Sequence, residues 1–136
     1  MKKRFEAVVE SGMGKGAFFL SKKHYAEEFE KILGRKAFPG TLNARVSPPD
    51  AKKILELKEN FGGRIGGFEE GGKKFGGLAY LNAKISGFGC LLVFPDKSTH
   101  SASVLEIVCA ENLRQKLLLK DGDKIIVEVV WGKSVD

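Results

Sequence analysis

Gly62-Gly63-Arg64-Ile65-Gly66-Gly67-Phe68-Glu69-Glu70-Gly71-Gly72-Lys73-Lys74-Phe75-Gly76-Gly77 sets glycine pairs at short intervals between charged and aromatic residues. Glycine weakens helix interiors and supplies the positive φ angles of tight hairpins and bulges, so this stretch argues against a helix. It predicts β structure with turns over residues 60–90. The pairs are too unevenly spaced to be a structural repeat. Downstream, Leu78–Ile85, Cys90–Phe94 and Val104–Val108 read as further strands, and Lys124–Val130 as a last one after the turn signal Lys120-Asp121-Gly122-Asp123.

Upstream, Phe5–Glu10 is a short β-branched and apolar run that ends at Ser11-Gly12. Phe18-Phe19-Leu20 reads as another strand, which makes residues 11–17 a loop between two strands. Ser21 is expected to cap a helix whose Tyr25, Phe29, Ile32 and Leu33 share one apolar stripe and which stops at Gly34. Leu42, Ala44 and Val46 alternate with Thr41, Asn43 and Arg45, as in a half-buried strand. Pro48-Pro49 is expected to end that strand, and Asp50 to cap a short helix over Ala51–Leu57. Ala110–Leu117 also reads as helical. Six or seven strands interrupted by two or three short helices predict a mainly β, α+β architecture: a six- or seven-stranded β-barrel with short helical insertions rather than a βαβ sheet.

The length, 136 residues, fits a single domain over 1–136, and 43% hydrophobic with 29% charged residues excludes wholesale disorder. No stretch approaches the ~18 consecutive apolar residues of a membrane span. Met1-Lys2-Lys3-Arg4-Phe5 leads into charged sequence rather than a signal-peptide core, so a cytoplasmic protein is expected. Cys90 and Cys109 each sit beside apolar neighbours and read as buried small hydrophobes, which disfavours a disulfide framework or a cysteine-based zinc site. A net charge of +6 and a pI of about 9.3 favour a polyanionic partner without choosing between nucleic acid and nucleotide phosphate.

Gly12-Met13-Gly14-Lys15-Gly16 follows a strand, where glycines let backbone N–H groups approach phosphate oxygens and Lys15 supplies a cation. Walker A spacing is missing, so the segment is either a ligand cradle or a glycine-rich hairpin. Thr41 and Asn43, two apart on a strand, project a hydroxyl and an amide oxygen from one face. Such a pair is either a solvated strand face or a foothold for Mg²⁺, whose remaining ligands would be water and substrate phosphates. Glu106 interrupts the apolar run Val104-Leu105-Glu106-Ile107-Val108 and is either a solvent-facing position or a carboxylate placed against a substrate hydroxyl. His100, between Thr99 and Ser101, reads as a structural hydrogen-bonding residue, His24 as a surface one, and Arg114 as a solvated helix position or an anion contact.

Taken together and in order, Val9-Glu10-Ser11-Gly12-Met13-Gly14-Lys15-Gly16, Phe19-Leu20-Ser21, Phe29-Glu30-Lys31-Ile32-Leu33-Gly34, Pro39-Gly40-Thr41-Leu42-Asn43, Thr99-His100-Ser101, Leu105-Glu106-Ile107 and Leu113-Arg114 through Lys120-Asp121-Gly122-Asp123 resemble the archaeal CTP-dependent riboflavin kinase family. The resemblance spans about residues 8 to 125 and is weakest over 58–77. It implies a cradle-loop β-barrel and transfer of the γ-phosphoryl group of CTP to the ribityl 5′-hydroxyl of riboflavin, giving FMN and CDP. By the same resemblance, Gly12, Met13, Gly14, Lys15, Gly16 and Ala17 match a nucleotide-binding segment, and Asn112, Leu113, Arg114 and Gln115 a second one. Thr41 and Asn43 match magnesium ligands, and Thr99 and Glu106 match flavin contacts, with Glu106 the expected catalytic residue. Lys15 departs from relatives that carry an acidic residue there. The implied partners are riboflavin and FMN, CTP and CDP, with Mg²⁺ as cofactor; a monomer without membrane partner is expected. The chain is too short for the winged-helix domain some family members add at the N-terminus. The rival classes are a nucleic-acid-binding regulator of the swapped-hairpin type and a flavin-binding protein without catalysis. Interspersed acidic residues disfavour the first.

Overall fold

A computed structural model describes residues 1–12, 19–96 and 103–132. The chain runs through β1 (Lys2–Glu10), α1 (Lys23–Leu33), β2 (Leu42–Arg45), α2 (Pro48–Phe61), β3 (Gly63–Ile65), β4 (Phe68–Glu70), β5 (Lys73–Phe75), β6 (Leu78–Ile85), β7 (Phe88–Pro95), β8 (Val104–Cys109), α3 (Leu113–Lys116) and β9 (Lys124–Val130). The main sheet has the order β3-β6-β7-β8-β2-β1-β9, and β6 also pairs with β9. That last pairing, Asn82 opposite Val130 through Lys84 opposite Glu128, closes six antiparallel strands into a barrel with β3 as an added strand on β6. β4 and β5 form a separate hairpin. The mainly β barrel with short helices expected from the sequence is therefore what the chain forms.

Alternation decides what lies inside. On β1 the inward positions Phe5, Ala7 and Val9 are buried, and on β9 Ile125, Val127 and Val129 are. They join Leu42, Ala44, Leu81, Ala83, Leu92, Leu105 and Ile107 in the barrel interior. β7 breaks the alternation because both of its faces are covered. Cys90 and Leu92 point into the barrel, whereas Leu91 and Val93 pack under α1 with Tyr25, Phe29, Leu78 and Val108. A strand buried on both faces reads as a continuous apolar run, as Cys90-Leu91-Leu92-Val93 does. Tyr25 and Phe29 each contribute about 1.5–3 kcal/mol by this burial.

α1 ends as expected, with Gly34 in the left-handed region at φ 79° and its N–H on the Glu30 carbonyl at 2.8 Å. Its start differs. Phe19, Leu20 and Ser21 are helical rather than extended, because Leu20 belongs to the apolar layer under α1. The N-cap of α1 is Lys22, which makes no side-chain capping bond, so Ser21 is not the cap. Ser47, not Asp50, caps α2: its hydroxyl accepts from the Asp50 N–H at 3.3 Å, and Pro48-Pro49 opens the helix. Proline in a first turn gives up an N–H that has no helical partner anyway, so the pair starts a helix as readily as it ends a strand. The helical reading of Ala110–Leu117 shrinks to Leu113–Lys116.

His24 is half-buried rather than superficial. Its ring lies 4.7 Å from that of Phe68, and Nε2 sits 3.0 Å from the Gly66 carbonyl. Phe68 stacks on Phe75 at 4.8 Å, and the Tyr25 hydroxyl donates to the Gly76 carbonyl, so this aromatic group ties the β4–β5 hairpin to α1. Cys90 and Cys109 stand opposite each other on β7 and β8, both buried and free, in keeping with their reading as small core residues. Among the described residues no helix is long and apolar enough to cross a membrane.

Candidate active site

Three neighbouring strands line up the polar residues of interest. Glu10 on β1 is opposite Asn43 on β2, and Asn43 is opposite Glu106 on β8. Directly opposed residues of antiparallel strands share a face with Cβ atoms about 4.5–5.5 Å apart, so Glu10, Asn43 and Glu106 form a row across the outside of the barrel. Glu10 is held by a two-pronged ion pair with Arg45, at 3.0 Å and 3.3 Å. Glu106 retains only 7% of its exposure and is the one buried charged or polar side chain among the described residues. Its strand alternation puts it on the outer face, but that face carries the apolar layer of Val93 and Val108 beneath α1, so it is not a solvated position. A carboxylate taken out of water is costly without interactions to compensate, and such sites are disproportionately functional.

Thr41 precedes β2 and is half-buried, as is Asn43. A cleft of about 210 Å³ brings Thr41 together with Asn112, Leu113 and Arg114. Two segments picked out separately in the sequence therefore share one cleft. Within the second, Asn112 caps α3 by accepting from the Gln115 N–H at 3.3 Å, and Leu113 is buried in the barrel core. Arg114 is neither merely solvated nor free. Its Nη2 donates to the Glu10 carbonyl at 3.2 Å and to Asp121 Oδ1 at 2.7 Å.

Asp121 also accepts from the Ser11 hydroxyl at 2.5 Å. These two hydrogen bonds, Ser11's first and Arg114's second, hold the Asp121 carboxyl below the usual carboxylate range. Next along the chain, Gly12 lies so close to β2 that a Cβ there would overlap the Asn43 side-chain amide. The strand end that leads into the glycine-rich segment is thus seated on Asn43. Glu10, Ser11 and Asp121 were not singled out as site residues from the sequence. The one available signal was that Ser11 and the Lys120–Asp123 turn both fall in segments shared with the family.

Met13, Gly14, Lys15, Gly16 and Ala17 lie outside the described residues, as do Thr99 and His100. Around Thr41 and Asn43 the donor set suits a hard divalent cation with few protein ligands: two neutral oxygens, with no group of three or more His, Cys, Asp or Glu side chains able to hold a metal among the described residues. Thr41 and Asn43 would suit Mg²⁺ that takes most of its other ligands from outside the protein, and by themselves do not make an all-protein metal cage.

Comparison with known proteins places this sequence in a family. The family model CTP-dep_RFKase, described as a domain of unknown function, DUF120, matches residues 9–129. Proteins named riboflavin kinase from three archaea are similar. The one from Methanospirillum hungatei is 36% identical over 121 residues, 89% of this chain and 55% of that protein. The one from Pyrobaculum aerophilum is 38% identical over 120 residues, 88% of this chain and 57% of its own length. That of Ignicoccus hospitalis is 36% identical over 121 residues, 89% of this chain and 68% of its own. The chain spans little more than half the length of the first two relatives. With a family model covering most of the sequence and relatives above 30% identity, this chain belongs to the CTP-dependent riboflavin kinase family.

Proposed function

We propose that this protein is a riboflavin kinase that uses CTP as phosphoryl donor, converting riboflavin to FMN with release of CDP. The observation that supports the reading most is the row of Glu10, Asn43 and Glu106, with Gly12 against Asn43: a carboxylate serving the acceptor and residues serving the donor would need to be neighbours of this kind. Family membership and the names of the relatives support the same reading.

Phosphoryl transfer asks a protein mainly for positioning and charge neutralisation. The Thr41 hydroxyl and the Asn43 amide oxygen would hold Mg²⁺, which would supply charge neutralisation for the triphosphate. The segment Gly12–Ala17 binds the nucleotide through backbone N–H groups, and the Asn112–Gln115 segment contacts it as well. Thr99 and Glu106 meet the flavin. The Glu106 carboxylate accepts a hydrogen bond from the ribityl 5′-hydroxyl and turns its oxygen toward the γ-phosphorus. As the O–P bond forms and the bond to CDP breaks, the hydroxyl proton leaves along that hydrogen bond.

The test is steady-state turnover of riboflavin with Mg²⁺ and either CTP or ATP at saturation, with FMN separated and quantified. FMN formed faster with CTP supports the proposal. Faster turnover with ATP overturns the donor assignment. No turnover with any nucleotide, together with duplex-DNA binding that weakens steeply with salt, would favour the nucleic-acid class instead.

A further inference from the structure

The end of β1 is fixed twice over. Two backbone hydrogen bonds already bind it to the Lys120–Asp123 turn: the Val9 N–H donates to the Asp123 carbonyl at 2.8 Å, and the Gly122 N–H donates to the Val9 carbonyl at 2.7 Å. Onto these the side chains add a knot in which Asp121 accepts from Ser11 and from Arg114, while Arg114 also holds the Glu10 carbonyl. Exposed ion pairs add little to stability, and the turn is already anchored by main-chain bonds. What the knot adds is control over the next two residues, Ser11 by its hydroxyl and, through the chain, Gly12 in contact with Asn43.

We propose that Asp121 is a positioning residue for nucleotide binding: through Ser11 and Arg114 it holds the Glu10–Gly12 backbone against Asn43. Asp121 acts through these residues and touches no reacting atom. Charge-assisted hydrogen bonds to a carboxylate are short and strong, so they fix a backbone more tightly than neutral contacts do. The proposal rests on the reading of Gly12–Ala17 and Asn43 as the donor side of a CTP-dependent kinase.

Asp121→Asn, Ser11→Ala and Ser11→Thr test it beside the unaltered protein. The readouts are the affinity for CDP with Mg²⁺ by calorimetry, the KM values for CTP and riboflavin, and the melting temperature. Asp121→Asn and Ser11→Ala should weaken CDP binding and raise the CTP KM about tenfold, the loss expected of one charge-assisted hydrogen bond. The riboflavin KM should hold, and Tm should stay within about 3 °C. Ser11→Thr, which keeps the hydroxyl, should restore CDP affinity. Unchanged CDP affinity in Asp121→Asn, or equal rises in both KM values alongside a large fall in Tm, would overturn the proposal. If the unaltered protein binds no CDP with Mg²⁺, the donor-site reading fails first and takes the proposal with it, an outcome distinguishable because the variants then have nothing to lose.

Discussion

Glu106 shows how far a single residue can be read from sequence. Its place in an apolar run marked it as unusual, and period-two alternation put it on the outer face of β8. Its burial was not legible, because it depends on the layer that α1 and β7 build over that face. Glu106→Gln should lower kcat by on the order of 10²–10⁴ if the carboxylate takes the proton, with CDP affinity nearly intact. A raised riboflavin KM at unchanged kcat would make it a binding contact only. Thr41 and Asn43 read as a same-face strand pair, yet Thr41 precedes β2; the cleft that Thr41 shares with the Asn112 segment was not legible, since it requires the start of β2 and the β8–α3 connection to meet. If Thr41 and Asn43 hold Mg²⁺ as proposed, Thr41→Val and Asn43→Leu should keep the fold, measured by Tm, and raise the Mg²⁺ concentration needed for half-maximal turnover. Near-normal rates at low Mg²⁺ in both variants would return this face to solvent. Asp121 offers a test by titration. Its folded pKa lies below the unfolded value of 3.8, so the stabilisation it provides is complete above that value and is lost as the pH falls through the folded pKa. Carboxyl NMR should find it titrating below 3.8, and Ser11→Ala should move it upward, since the Ser11 bond is the leading cause.

Elements with one dominant signal were read correctly. Leu78–Ile85 and Lys124–Val130 have their expected bounds, and α1 stops at Gly34. Misreadings cluster where two local preferences compete. Phe19-Leu20 has strand composition, yet burial of Leu20 beneath the first helix prevails. At Ser47-Pro48-Pro49-Asp50 either polar residue can cap, and the prolines take the first helical turn, which leaves the cap to Ser47. Gly34 gives a clean stability test, because a Cβ there meets no atom within 4 Å and its φ of 79° is the sole objection to a side chain. Gly34→Ala should therefore cost about 1 kcal/mol, read by urea unfolding, with kcat unchanged. A neutral result would show that the helix end relaxes out of the left-handed region.

At the scale of the whole molecule, the barrel class was legible, whereas which strand edges meet to close it was not. The β6–β9 pairing joins segments far apart in sequence, and no local pattern encodes which edges meet. The strand order, with β2 between β1 and β8, is what makes residues 10, 43 and 106 neighbours on one wall. The central claim is that this wall carries a γ-phosphoryl group from CTP to riboflavin. The most direct measurement supplies CTP labelled at the γ-phosphorus together with Mg²⁺ and riboflavin, and follows the label. The account predicts label in FMN, one equivalent for each CDP released, and loss of both in Glu106→Gln. Label released only as inorganic phosphate, or FMN formed without label, would contradict it.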